Sequence, residues 1–507
     1  MLMATLLALA ADMLARASHR APLEPAPHLF LPPYHALAYE AFSPALLRAL
    51  AVTYAERAAM TAAAPPAPPP DVLGAELRAA AALAADRRPV VGYVTPDFGE
   101  HPTSHLLRSV WRLQRAAGRV RAVCLARSPP DGSPNRRHIE ATCEEFVELG
   151  GLGYREAAAA INARRVQLLV DLNGHCGRPQ FELLSLRPAP LQLTYMGHPG
   201  TSGAPYVQYV AVDSIVAPPR LAPHFSERLL TLPQWHATDY RDAHAFAALG
   251  EPPAGAPPAG PRLAWPAGAT RALVETEVGG ARREGLPAAA FVLATFNQLY
   301  KVGGTFWHAW ANALHRAPRA LLWILEFPRP AAANLAAQAA ASGVRAARLR
   351  TARTAERGFH LARASLADLA LDTAPYNGHT TAGDAVWMGT PLLTLPGDGM
   401  HARVGASYVA NAGCPQLITH SVRQYEHVAV QLAQRPAVFD ALRARLARHR
   451  WTAAAFDTAR WVRAFDDGVH MIVENHRRGL PAKHLLSHAR RAGRTLHSAA
   501  ASRTAGE

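Results

Sequence analysis

Residues 371–396, LDTAPYNGHTTAGDAVWMGTPLLTLP, restrict the fold more than any other stretch of the chain. A short, mostly apolar run over 366–371 ends at Asp372 and reads as a buried strand. The turn Thr373-Ala374-Pro375-Tyr376-Asn377-Gly378 follows, and His379-Thr380-Thr381 should open a helix that runs through Asp384, Trp387 and Met388. Gly389-Thr390-Pro391 stops that helix, and 392–395 is the next buried strand. A strand–turn–helix–strand unit with hydroxyls and free backbone N–H groups at the helix start is suited to an anion. One reading puts phosphate on Thr380 and Thr381 and a sugar hydroxyl on Asp384. The other is an ordinary helix cap, with Asp384 favoured by the helix dipole.

The same alternation recurs on both sides of this stretch. Strands are expected over 89–94, 120–126, 166–172, 191–196 and 207–213, with helices over 106–117 and 154–164 between them. A second series has strands over 291–295 and 320–325 and helices over 306–317, 331–341 and 356–363. Such alternation predicts largely parallel sheets with functional loops at the carboxyl ends of the strands. His101, His175 and His198 each fall on such an end, as does the 296–301 loop, FNQLYK.

The expected organisation is a helical segment over 1–61, a Pro/Ala-rich linker and short helix over 62–87, and a first lobe over 88–233. A Pro/Gly-rich insert over 234–288, a second lobe over 289–420, helices over 421–489 and a small, basic, disordered tail over 490–507 complete it. Two α/β lobes joined in this way leave a cleft between them. That cleft suits a nucleotide-linked donor on one lobe and an acceptor on the other.

Composition narrows the chemistry. The net charge of +15 is spread through Ala/Arg/Pro-rich sequence without a basic run interleaved with aromatics, so no specific nucleic-acid partner is expected. No apolar run reaches the ~20 residues that span a bilayer, and the apolar start over 1–17 is interrupted by Asp12, which reads as a helix rather than a signal peptide. Four cysteines in 507 residues, none in a CxxC pair, are no disulfide framework and suit a reducing compartment. His101 and His105 share a helical spacing but lack the glutamate of a HExxH motif, so no metal is expected. There is no DxD either, which leaves Lys301, Arg363 and a helix N-terminus to neutralise a diphosphate.

Four motifs, taken together, resemble one family. The runs 91–108 (VGYVTPDFGEHPTSHLLR), 187–203 (RPAPLQLTYMGHPGTSG), 296–301 and 366–396 are similar to the catalytic region of protein O-GlcNAc transferases, the family 41 glycosyltransferases. The match runs in order from about 20 to about 480. The resemblance implies a GT-B fold and UDP-GlcNAc as donor, with no other cofactor. It also implies serine or threonine hydroxyls of proteins as acceptors, inversion at the sugar carbon, no metal and no membrane partner. Cytoplasm or nucleus is the compartment it implies. By the same matching, Lys301 contacts the diphosphate, Gln298 contacts the donor and His360 stacks on uracil, with Arg363 one turn further on. His379, Thr380 and Thr381 form the phosphate loop and Asp384 holds the ribose. His101 stands beside the sugar and the incoming hydroxyl, and Met196, Gly197, His198 and Pro199 form part of the sugar pocket.

The chain also departs from the family pattern. Asn162 stands where family members have a histidine before the strand ending at Asn173, and the family's acid in that helix falls in the alanine run 157–160. Neither acid/base role transfers, which leaves His101, a donor phosphate oxygen or a water relay as base. The ~34-residue helical repeats usual in front of this region are not visible as a period. The Spindly-type protein O-fucosyltransferases, which use GDP-fucose, share the second-lobe motifs and are the first alternative. An inactive nucleotide-sugar-binding scaffold is the second.

Overall fold

The computed structural model describes residues 31–62, 87–241, 285–287, 289–328 and 330–487. The expected helix over 1–17, most of the linker and of the insert, and the basic tail lie outside the described residues.

The chain enters through a single helical turn, α1 (Pro33–Ala36), and helix α2 (Pro44–Thr61). Ser43 caps α2 by accepting from the Leu46 N–H, and Pro44 sits at the first helical position, where its missing N–H costs nothing. The first lobe then alternates β1 (Val90–Thr95), α3 (Pro102–Ala117), β2 (Arg121–Ala126), α4 (Pro134–Thr142), β3 (Glu145–Glu148), α5 (Tyr154–Ala163) and β4 (Leu168–Asp171). It continues through α6 (Phe181–Ser185), β5 (Leu191–Thr194), β6 (Tyr209–Asp213) and β7 (Arg228–Leu232). The second lobe holds β8 (Phe291–Thr295), α7 (Gly304–Arg316), β9 (Ala320–Leu325), α8 (Pro330–Ala341), β10 (Leu349–Ala352), α9 (Arg357–Ala364), β11 (Leu369–Leu371), α10 (Thr380–Trp387), β12 (Leu392–Leu393) and α11 (Val404–Asn411). Helices α12 (Val422–Gln434), α13 (Pro436–His449) and α14 (Thr458–Arg477) and strand β13 (Leu485–Leu486) close the chain.

All strand pairs are parallel. Central strands such as β4, β5, β6 and β9 are buried on both faces, which helices on either side of a parallel sheet require. The first sheet has the order β13-β7-β6-β5-β4-β1-β2-β3, and the second β10-β9-β8-β11-β12. In each, the chain reverses direction across the sheet at one place: between β1 and β4 in the first lobe, and between β8 and β11 in the second. Crevices at the carboxyl ends of such strand pairs are where doubly wound sheets bind ligands.

The C-terminal helices divide between the lobes. Helix α12 lies along α7, and Phe439 of α13 packs edge-on to Phe291 at 5.0 Å. Helix α14 returns to the first lobe, where Trp461 lies 5.1 Å from Tyr195, and β13 then adds to that sheet beside β7. Among the described residues no helix is long and apolar enough to cross a membrane.

Several expectations need correction. Helix α4 and strands β3 and β7 were not foreseen. In α4 the inward positions include Asn135 and Arg136, so no apolar stripe marks it; Arg136 is held by Glu140 at 2.7 Å and by Glu148. Cys124 and Cys143 form a disulfide. Cys143 ends α4 just where the chain turns to pair β3 with β2, which brings it over Cys124. The inference of a reducing compartment from cysteine count therefore loses its support. The irregular insert also begins later than 234: Gln234, Trp235, His236, Asp239 and Tyr240 are all buried between the lobes.

Candidate active site

The second-lobe crevice is built from the loops after β8 and β11. Asp372, the first residue beyond β11, is buried. Its carboxylate accepts from the Thr373 and Gly378 N–H groups at 2.9 and 2.7 Å and from the Thr394 hydroxyl at 2.7 Å. Burial nevertheless raises its pKa to about 6. These bonds fold the 373–378 turn back on itself. From β8, Asn297 donates to the Thr373 hydroxyl at 2.9 Å and accepts from the Thr381 hydroxyl. The Thr381 proton is thus spent inside the lobe, while the Thr380 side chain makes no such bond among the described residues and is half-buried at the start of α10.

Lys301 ends the single 3₁₀ turn after β8 and is buried. Its ammonium donates to the Asn377 carbonyl at 3.1 Å and lies 3.8 Å from the centre of the Tyr376 ring. Burial lowers its pKa to about 8, against the pull of Asp372. A desolvated cation placed beside a helix N-terminus is poised for an anion that brings its own charge. Gln298 is exposed at the head of the same turn.

Asp384, one turn into α10, is the most strongly held carboxylate of the crevice. It accepts from the Tyr240 hydroxyl at 2.7 Å, and lies 3.2 Å from the Arg357 guanidinium and 3.4 Å from His360 Nε2. Burial alone would raise its pKa; Arg357, His360 and Tyr240 outweigh that and hold it at about 2. His360 stands edge-on to Phe296 at 5.5 Å, and its Nδ1 meets Arg363 at 3.3 Å. Arg363 itself is buried over the Phe296 ring and donates to the Arg353 carbonyl, so it braces His360 from behind.

Across the cleft, the first-lobe crevice lies at the ends of β1 and β4. His101 caps α3, its Nδ1 accepting from the Thr103 N–H at 3.3 Å. Asp97 is 3.6 Å from that nitrogen and is itself held by the Asn173 amide at 2.7 Å. His105 pairs with Glu100 at 2.7 Å and lies close enough to Arg357 and Asp384 to feel both charges. Asn162 is exposed at the far end of α5, at the opposite edge of the sheet from the crevice.

The Met196-Gly197-His198-Pro199 loop follows β5. Met196 has a left-handed φ of 75°, and a Cβ on Gly197 would stand 2.4 Å from the Leu172 carbonyl oxygen, so glycine alone fits there. His198 is buried 5.1 Å from His175, and among the described residues its Nδ1 has no hydrogen-bond partner. Burial holds its pKa well below the usual histidine range. With Pro199, Pro33, Leu37, Met400 and His401 it lines an open cleft.

The structure therefore gathers Lys301, His360, His379, Thr380, Thr381 and Asp384 in one crevice, with His198 and His105 reaching it from the other lobe and His101 held at the head of α3 by first-lobe partners. His379 lies 5.3 Å from Tyr376. Three contributors were missed. Arg357 sits one turn before His360 on the same helix face, which its spacing could have signalled. Tyr240 comes from the stretch read as an irregular insert and carried no signal. Tyr34, in α1, is half-buried against Tyr376 at 5.7 Å and His198 at 6.3 Å. Burial and the neighbouring Cys176 and Tyr300 raise its pKa well above the usual phenol value. It carried no signal either, because α1 is too short to show a period.

The family model described as Glycosyl transferase family 41 matches residues 76–247 and 267–465. A probable UDP-N-acetylglucosamine–peptide N-acetylglucosaminyltransferase SEC of Arabidopsis thaliana is 33% identical over 397 residues, covering 78% of this chain and 38% of its own. The UDP-N-acetylglucosamine–peptide N-acetylglucosaminyltransferase of Caenorhabditis elegans is 26% identical, covering 78% of this chain and 42% of its own. The chain thus spans about two fifths of the length of these relatives. A Thermobaculum terrenum O-GlcNAc transferase mutant superposes with a TM-score of 0.70 at 22% identity, over 88% of this chain and 76% of that one, and has the same two-lobed fold.

Proposed function

The chain belongs to glycosyl transferase family 41, and from that premise we propose that its cleft transfers N-acetylglucosamine from UDP-N-acetylglucosamine to serine and threonine hydroxyls of proteins. The names of its relatives supply the donor and acceptor class. The observation that carries the reading to this chain is Lys301, a buried ammonium beside the start of α10, with Asp384 one turn along the same helix. Charge grows on the diphosphate as the glycosidic bond breaks, and a fixed cation aimed there stabilises the transition state more than the ground state.

In this reading the nucleotide lies along the second lobe. The His360 ring, fixed between Asp384 and Arg363, is a flat platform for uracil. The Asp384 carboxylate takes a ribose hydroxyl in exchange for one of its present partners. The α10 N–H groups, the Thr380 hydroxyl and Lys301 take the diphosphate. A single in-line attack from the first-lobe side inverts the sugar carbon. Lys301 carries the leaving-group charge without a call on a metal.

The test is labelled GlcNAc transfer to protein by the purified chain, together with calorimetry against UDP and GDP. We expect tighter UDP than GDP binding and a label on serine or threonine that Lys301→Met abolishes. Tighter GDP binding would turn the donor reading toward GDP-fucose. UDP binding without any transfer would leave only a nucleotide-sugar-binding protein.

A further inference from the structure

Resting on the transferase reading, we propose that Asp97, and not His101, accepts the proton of the attacking hydroxyl. The argument begins with the hydrogen bonds His101 already makes. Its Nδ1 accepts from the Thr103 N–H at 3.3 Å and closes the start of α3. The Asp97 oxygen is further away, at 3.6 Å, beyond an ordinary hydrogen bond. A nitrogen that accepts carries no proton, so the neutral ring bears its proton on Nε2. Burial lowers the pKa of His101, which favours that neutral form. Its free edge is therefore a donor. It can hold an oxygen of the donor or acceptor, while its one lone pair, on Nδ1, is engaged by the Thr103 N–H on the capping side.

Asp97 has the opposite character. It follows β1 directly and its position is fixed by both strands of the crevice. Its N–H donates to the Thr95 hydroxyl at 3.0 Å, that hydroxyl donates to Asn173 at 2.7 Å, and the Asn173 amide donates to the Asp97 carboxylate at 2.7 Å. The side chain keeps 15% of its surface open. Cys176 lies close enough to both lobes' charges to feel Asp97 and Lys301 together, which sets Asp97 near the Lys301 side of the cleft. The other crevice carboxylates are committed. Asp171 accepts from the Asn173 and Gly174 N–H groups, and Asp372 and Asp384 are closed in as described above. The titratable groups coupled to Asp97 are His101, Cys176 and Asp171, and the Arg178 guanidinium donates to the neighbouring Pro96 carbonyl at 3.0 Å.

The step balances with these groups alone. The serine O–H bond breaks and its proton passes to the Asp97 carboxylate. The oxygen forms its bond to the sugar carbon, the bond from that carbon to phosphate oxygen breaks, and its electron pair leaves with UDP beside Lys301. The Asp97 proton is then lost to water.

The test uses the whole chain, a peptide whose single serine the wild type labels from UDP-GlcNAc, and the same peptide with cysteine in that position. A thiolate needs no base, so the pair separates proton transfer from mere positioning. Asp97→Asn should cut kcat on the serine peptide about 10²–10⁴-fold, leave UDP affinity within about twofold, and cost less than about tenfold on the cysteine peptide. His101→Asn, which keeps a good cap, should cost less than about tenfold on serine. Equal losses on both peptides with Asp97→Asn would overturn the assignment while leaving the transferase reading intact. So would a His101→Asn loss as large as that of Asp97→Asn and relieved by cysteine. A wild-type chain that binds UDP but labels neither peptide would overturn the transferase reading, and this assignment with it.

Discussion

The two crevices sit at equivalent places in their sheets, yet they are finished differently. In the second lobe the polar side chains at the strand ends are tied to one another: Asp372 to three donors, Asn297 to Thr373 and Thr381, Lys301 to the Asn377 carbonyl, Asp384 to Tyr240, Arg357 and His360. In the first lobe Asp97 and His101 stay partly open, at 15% and 42% of their side-chain surfaces. A diphosphate-linked donor needs a rigid, pre-oriented socket, because reorganising dipoles at the moment of reaction wastes their effect. An acceptor that arrives last needs groups still free to meet it. The contrast predicts that second-lobe substitutions damage donor binding and transfer together, and first-lobe substitutions damage transfer alone.

The largest effect should come from Lys301→Met. Transfer should fall on the order of 10³-fold, and UDP binding should weaken measurably by calorimetry. Unchanged UDP affinity in this variant would break the contrast at its strongest point. Asp384→Asn comes next, with a rise in the UDP dissociation constant of about 10–100-fold, the loss expected for hydrogen bonds to a charged group. The same variant leaves Arg357 without its anion, so its melting temperature should fall as well.

A smaller effect is set by pH. Burial places the Lys301 pKa at about 8 rather than the ordinary 10.5, so the cation is present below that value and lost above it. In the free enzyme, kcat/KM should be level up to about pH 8 on the lysine limb and then fall about tenfold per unit. Lys301→Arg should abolish this fall whatever its absolute rate, since guanidinium stays charged. The smallest effect is expected at Tyr34→Phe. Removing a half-buried phenol hydroxyl while keeping the ring contact to Tyr376 should cost no more than about 1 kcal/mol of stability by thermal or denaturant unfolding. Transfer should change only a few-fold.

Much of the second-lobe crevice was legible in the chain. The 371–396 stretch is local: a strand, a turn, a capped helix and a strand read from consecutive residues, and Asp384 is placed by helix geometry alone. His101 at a helix start was legible for the same reason. Arg363 was legible as a neighbour of His360 but not as its brace, because burial over Phe296 depends on how α9 packs against β8. The Cys124–Cys143 bridge was illegible because nothing in the polar sequence of α4 shows that it ends over β2. Tyr240 meets Asp384 across 144 residues of chain, and no local pattern reports such a contact.

By itself the sequence determined two parallel α/β units, their loops at the carboxyl strand ends and the residue types within those loops. Periodicity, capping and turn chemistry act over a few residues and leave a trace in order. Only the tertiary structure decided which groups share a crevice: Tyr34 from the N-terminal turn, Tyr240 from the supposed insert, Arg357 on Asp384, and Cys176 within reach of the charges of both Asp97 and Lys301. Those pairings depend on how separately folded lobes and strap segments exclude water between them. The free energy of that burial belongs to the surfaces in contact and not to any stretch of chain.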